Sequence, residues 1–393
     1  MRPAEPATVH EAVGPNLGPV QAGGVIVFGM IALLIIGVAP SLLGALVDEH
    51  RLTPAGLGIT AMVELFSMGV TTGIAGAYLK PERLKTIGVG ASLALAALNL
   101  ATMNTSGGMI YFMRGLAGAP EGLLLWITIG MIARTVTPER WAAIFFSARV
   151  LSEMTVAYLY ARTIIPQHGA DGGFATLALV ALFGIPAAVV CPSRYGPLAQ
   201  AEGVTGALPI RGIIALIATV VFVSANGAVA VYLQPLAHRA GLSADVARTA
   251  VWASLGAQLI GGAAAALLAG RIRYLPVFAV TVVTFLGVWF VFGLTPPAWL
   301  FIAANCVSGI IALLVGPFMV PMIIEADPTR RSAMQSAGAQ LFGGAGGPLI
   351  AAFAVGSRDV HGVLWLGAGL LLAGFAMVAW LALTTAKTPS TAS

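Results

Sequence analysis

Charge is the scarcest property of this sequence. Only 20 of 393 residues are Lys or Arg and 15 are Asp or Glu, while 58% are hydrophobic. Soluble domains carry roughly 25% charged residues, so a surface facing water cannot be built from this composition, and lipid is the solvent it implies. Cysteine is almost absent. Cys191 and Cys306 have no partner at metal-ligand or redox spacing and read as small packing residues. No pair of the five histidines has the His-Glu-x-x-His spacing of a zinc hydrolase, and no metal site is expected. A Gly-x-Ser-x-Gly elbow and a Gly-x-x-x-x-Gly-Lys-Ser/Thr phosphate loop are both missing, which argues against a serine hydrolase and against ATP as the energy source. The net charge of +5 does not point to nucleic acid, because the basic residues are scattered at the ends of apolar runs.

What the chain has is apolar length. Runs fall at roughly 21–47, 55–79, 84–103, 107–133, 139–165, 173–190, 210–237, 247–269, 275–294, 297–324, 332–355 and 362–385. Each is near the roughly 20 residues that a spanning helix needs. Helix is required because backbone groups find no water in hydrocarbon, and the dyad alternation of a membrane β-barrel is absent. The polar, proline-containing residues 1–20 and the stretch 386–393 read as tails. The first apolar run, Ala22 to Val47, is longer than a signal-peptide core of roughly 7–15 residues.

With the N-terminus in the cytoplasm, 13 basic residues lie in cytoplasmic segments and five outside, with Arg114 and Arg149 inside helices. The positive-inside rule selects that orientation, with both termini cytoplasmic. The longest polar break, 192–209, lies midway and reads as a linker between a bundle at 21–191 and a second at 210–385. An ungapped offset of 190 residues aligns Leu52 with Leu242, Leu65 with Leu255, Ala75 with Ala265, Arg83 with Arg273, Pro138 with Pro328, Arg140 with Arg330 and Ala143 with Ala333. Two parallel six-helix repeats form a transporter architecture.

On these features the chain, over about residues 21–385, resembles the major facilitator superfamily. That family's loop motif between helices two and three, Gly-x-Leu-Ala-Asp-Arg-x-Gly-Arg-Lys, corresponds to Gly76-Ala77-Tyr78-Leu79-Lys80-Pro81-Glu82-Arg83-Leu84-Lys85, with Lys80 at the acidic position. Its second-half copy is Ala266 to Arg273, with Gly270 at that position. The family's Arg-x-x-Gln-Gly of helix four reads Arg114-Gly115-Leu116-Ala117-Gly118. The Gly-x-x-x-Gly-Pro-x-x-Gly-Gly motif of drug–proton antiporters is missing from helix five, and a Gly343-Gly344-Ala345-Gly346-Gly347-Pro348 run stands in helix eleven. The resemblance implies an all-α membrane protein with twelve transmembrane helices in two pseudo-symmetric six-helix bundles. It implies a cavity lined by helices one, four, seven and ten with help from two, five, eight and eleven. A monomer in a bacterial inner (plasma) membrane is the expected setting, with no cofactor.

Charge inside a membrane costs roughly 2.5–3.5 kcal/mol per residue at the helix centre on insertion scales, so its positions are informative. They are Glu64 in helix two, Arg114 and Glu121 in helix four, and Arg149 and Glu153 in helix five. Arg149 and Glu153, four apart, share a face and can pair; Arg114 and Glu121, seven apart, also share one. Arginine in a wet cavity suits a carboxylate, which makes Arg114 and Arg149 candidate substrate-binding residues. A buried glutamate can load and release a proton, so Glu64, Glu121 and Glu153 are candidate proton carriers. A structural charge network explains all five equally well. The second half carries amides instead, among them Gln234, Gln258, Gln335 and Gln340, and Asn226 and Asn305 are its candidate binding residues, at mid-span in cavity-type helices. Asp48 and Glu49 are expected to face water, and His238 to be a loop residue. Pro40, Pro235, Pro317 and Pro321 are expected to interrupt helices one, seven and ten.

The function these features support is secondary transport of a small organic solute, an organic anion or carboxylate, by proton-coupled alternating access. Efflux of drugs or other lipophilic compounds is the alternative. An intramembrane enzyme is the rival from another class, and a receptor or passive channel fits less well.

Overall fold

A computed structural model of the chain describes residues 18–132, 134, 138–196, 208–268, 271–327, 332–355 and 360–385. Most of the expected linker and nearly all of both expected tails lie outside these residues. The described chain is helical throughout: α1 (Pro19–Asp48), α2 (Pro54–Tyr78), α3 (Leu84–Thr102), α4 (Gly108–Ile132), α5 (Pro138–Leu159), α6 (Ile165–Leu182), α7 (Gly184–Val190), α8 (Ile210–Ala230), α9 (Leu233–Arg239), α10 (Ala244–Leu268), α11 (Tyr274–Gly293), α12 (Ala298–Ala326), α13 (Ser336–Ala354) and α14 (Gly362–Thr385). Three of the twelve crossings are interrupted. A π turn at Tyr160–Ile164 interrupts the fifth crossing, which continues through the first residues of α6 to the non-helical Gly169; the rest of α6 with α7 forms the sixth crossing, and α8 with α9 forms the seventh. Among the described residues, nine stretches are long and apolar enough to span a bilayer, and one of them, Ile144–Val190, folds into two crossings.

The helix starts repeat. Pro54 and Ala244, Leu84 and Tyr274, and Gly108 and Ala298 open equivalent helices 190 residues apart. Within each half the second and fourth crossings pack tightly, α2 on α4 and α10 on α12. Glycine makes that approach possible. A Cβ on Gly118 would stand 2.9 Å from the backbone nitrogen of Met68 on α2, and one on Gly309 would stand 2.5 Å from Ser254 Oγ on α10. Membrane helices gain adhesion from such close van der Waals contact, since lipid tails offer no hydrophobic drive.

The breaks have local causes. Pro235 has no N–H for the carbonyl of Val231, and its ring crowds that carbonyl; α8 accordingly ends at Ala230 and α9 begins at Leu233. Pro40, Pro317 and Pro321 sit inside α1 and α12, which continue through them, as do α4 through Pro120 and α13 through Pro348. The sixth crossing begins just after Gly169, close to the expected residue 173. Gly169 (φ 62°, ψ −158°) breaks the helix there, and Glu49 Oε1 accepts the Ala170 N–H at 2.7 Å, which caps the continuing segment.

The start of α1 packs on the end of α7, at Gly24 and Val190, and the start of α8 on the end of α14, at Arg211 and Leu381; this end of the bundle is here the tail end. Residues 192–196, expected as linker, are docked on the first half. Glu82 and Arg194 form an antiparallel bridge, Tyr195 N donates to the Pro81 carbonyl at 2.9 Å, and Arg134 Nε donates to the Gly196 carbonyl at 2.7 Å. Burial there pushes the Cys191 thiol up to about 12, which keeps it protonated as a packing residue.

At the far end the halves close on each other. Asp48, one-third exposed, accepts from Gln234 Nε2 at 2.5 Å and lies 3.6 Å from His238 Nδ1, so it bridges to α9 besides facing water. Gly44 packs against the Gln234 side chain, and Tyr158 on α5 meets Trp252 on α10 edge-on at 5.4 Å. A Cβ on Gly58 of α2 would stand 2.6 Å from Tyr232 Oη.

The α2–α4 crossing makes a direct prediction. Gly118→Ala forces backbone apart and should destabilise the protein by about 1–3 kcal/mol. Gly73→Ala, on the same bundle with open space beside it, should be neutral or gain up to about 1 kcal/mol of helix propensity. Thermal unfolding in detergent checks the difference; equal melting of the two variants would contradict the packing described.

Candidate functional site

The halves enclose a cavity of about 460 Å³. Its lining runs from Pro40, Ala61 and Pro348 in mid-span to Ile132, the last residue of α4 at the tail end. Most of the wall is apolar. Four polar side chains interrupt it: Glu64 and Arg149 from the first half, Asn226 and Gln340 from the second. A mostly apolar pocket with a few placed polar groups is the usual form of a small-molecule site.

Behind Glu64 lies a buried charge network. Arg114 on α4 is 0% exposed. Its Nε donates to Glu64 Oε2 on α2 at 3.0 Å and its Nη2 donates to Glu64 Oε1, a bidentate pair. Its Nη1 donates to Asn99 Oδ1 on α3 at 2.6 Å. Glu121, two turns further along α4, brings Oε1 to 3.6 Å from Nη2, and the Phe174 ring of α6 lies 5.6 Å from the guanidinium carbon. The second Glu121 oxygen, Oε2, has no hydrogen-bond partner among the described residues, and Arg114 Nη2 faces an oxygen of each carboxyl. Two carboxyls gathered on one guanidinium repel when both are ionised. One proton shared between them removes that repulsion and supplies a donor, so this arrangement can hold a proton.

Arg149 and Glu153 form a second, separate pair on α5. Arg149 Nε donates to Glu153 Oε1 at 2.6 Å. Glu153 is 1% exposed and is wedged against α1 at Gly37, where a Cβ would stand 2.6 Å from Glu153 Cβ and Cγ. Arg149 is 19% exposed and faces the cavity. Among the described residues its two terminal nitrogens, Nη1 and Nη2, make no protein hydrogen bond.

Of the residues singled out in the sequence, Glu64, Arg149 and Asn226 line the cavity together. Arg114 and Glu121 stand behind the wall, and Glu153 stands one turn beyond it. Asn305 is not on the wall: its amide donates to the Ala250 carbonyl at 2.8 Å, inside the α10–α12 crossing. Sequence reasoning missed Asn99 as a partner of Arg114. The available signal was an amide in a helix that otherwise faces lipid.

No protein-family model matches the chain, and no curated protein does. Solved structures do. Nucleoside transporter NupG superposes with a TM-score of 0.70 at 10% identity, over 94% of this chain and 100% of that one. A structure of a proton dependent oligopeptide transporter gives 0.67 at 14% identity, over 93% and 97%. A bacterial homolog of the human lysosomal transporter Spinster, inward-facing and unoccupied, gives 0.58 at 11% identity, over 95% and 96%. At these identities the likeness is one of fold. The chain is an integral membrane protein with the major-facilitator fold.

The network predicts an ordering of variants. Arg114→Leu strands Glu64 in a dry site and should cost about 3–5 kcal/mol, whereas the double variant with Glu64→Leu should recover most of it. Asn99→Ala, which removes one hydrogen bond to a charged group, should cost about 1.5–3 kcal/mol. Thermal unfolding in detergent measures all three; a double variant no better than Arg114→Leu alone would refute the pairing.

Proposed function

We propose that this protein is a secondary transporter that carries a small organic solute with an anionic end, coupled to protons, by alternating access. The observation that carries the reading is Arg149. Its Nε is held by Glu153, its Nη1 and Nη2 make no protein hydrogen bond among the described residues, and the side chain lines a cavity whose wall is otherwise largely apolar. Those two nitrogens form the planar fork that receives a carboxylate bidentately, and the surrounding wall suits an apolar body. About 460 Å³ accommodates a small organic molecule.

Three further points support the reading. The fold is shared with transporters of nucleosides and oligopeptides. The cavity lies between the halves, reaches one end and is closed at the other, as a single state of an alternating cycle requires. The buried interior holds three carboxyls against two guanidiniums, one negative charge too many for a dry site unless a proton is present. The bias of basic residues makes the tail end cytoplasmic, so the described state faces the cytoplasm.

The apolar wall and the cavity-facing Glu64 favour a second reading, export of lipophilic cations or neutral compounds. A thermal-shift screen of the purified protein in detergent separates the two, because a ligand that binds only the folded state raises its stability. Phenylacetate and octanoate should stabilise the protein, and Arg149→Ala should abolish the effect. Arg149→Lys should bind at least roughly tenfold more weakly, as expected from loss of one charge-assisted hydrogen bond. Stabilisation by tetraphenylphosphonium alone, lost in Glu64→Gln, would replace the anion reading with export.

A further inference from the structure

We infer that solute and proton meet at the Arg149–Glu153 pair: an incoming carboxylate takes Arg149 from Glu153, and Glu153 then accepts one proton. The inference rests on the anion reading of the cavity and adds to it a coupling site and a stoichiometry. Arg149 reaches the cavity and Glu153 does not, so a solute can engage the guanidinium without touching its partner. Glu153 is 1% exposed, and α1 closes over it at Gly37 with no room to swing away. Its carboxylate is held in place by one hydrogen bond from Arg149 Nε, 2.6 Å long.

A carboxylate binding across the Arg149 fork draws the guanidinium toward the cavity and neutralises it. The Glu153 carboxylate is then left buried and unpaired, an expensive state in a low-dielectric interior. Uptake of a proton on the carboxylate oxygen restores neutrality, and no bond other than that O–H forms. Among the described residues the ion-pair partner of Glu153 is Arg149, and α1 presents glycine to it. The other buried titratable cluster, Glu64 and Glu121 around Arg114, is assembled from α2 and α4, and its guanidinium is fully buried behind the cavity wall. The direction of coupling follows. Anion and proton bind together and leave together, which is symport, and the loaded pair is electrically neutral overall.

The test counts protons on binding. Purified full-length protein in weakly buffered detergent solution, with a pH-indicator dye, is titrated with phenylacetate, and octanoate serves as a second probe. Both carboxylates are ionised above about pH 6. Wild type should take up one proton per bound anion, and its Kd should rise about tenfold per pH unit between about pH 6 and 8. Glu153→Gln should bind phenylacetate as tightly as wild type or more tightly, with no proton uptake and no pH slope. Weaker binding in Glu153→Gln with the pH slope intact would make Glu153 a mere positioning residue for Arg149 and overturn the inference. Loss of the slope in Glu121→Gln instead would assign the proton to the other cluster and also overturn it. Binding of neither probe to wild type would overturn the anion reading itself, and the inference with it.

Discussion

Hydrocarbon offers no partner to a polar group, and most of this structure follows from that one constraint. The backbone meets it by folding into helices throughout the described residues. The buried side chains meet it by finding each other. Glu64, Asn99, Glu121 and Arg114 come from three helices and converge on one guanidinium. Arg149 and Glu153 solve the same problem within one turn of α5. Even the closing of the far end uses a polar bridge, Gln234 to the one-third-exposed Asp48.

The two halves share a helix plan and differ in chemistry. Ion pairs fill the interior of the first half, while in the second half amides take that place, one of them, Asn305, serving helix adhesion at the Ala250 carbonyl. Their contacts concentrate in two places, α2 against α13 and α5 against α10. The cavity therefore has a charged wall and an amide wall. A small molecule seated there would touch both halves.

Much of the architecture was legible in the sequence because lipid imposes a simple code. Twelve apolar runs correspond to twelve crossings, and the 190-residue offset reappears in the starts of α2 and α10, α3 and α11, and α4 and α12. The i,i+4 pair of Arg149 and Glu153 was legible for the same reason, since helical spacing alone makes it. The Glu64–Arg114 pair was not, because 50 residues separate its members and no periodicity announces which helix faces which. The turn between the fifth and sixth crossings was legible in the polar stretch Gln167 to Gly172. It is shorter than that stretch, because a carboxylate from a distant turn, Glu49, satisfies the Ala170 N–H just after the break at Gly169. Asn305 shows the opposite difficulty: a mid-span amide looks the same in sequence whether it faces a cavity or a neighbouring carbonyl.

Residues 192–196 extend the first half as one hydrogen-bonded body beyond its last helix. Arg134, just past the end of α4, holds the Gly196 carbonyl, and Pro81, just before α3, holds the Tyr195 N–H. The course of the chain as it leaves the first half is therefore set by contacts to two separate turns of that half and not by α7 alone.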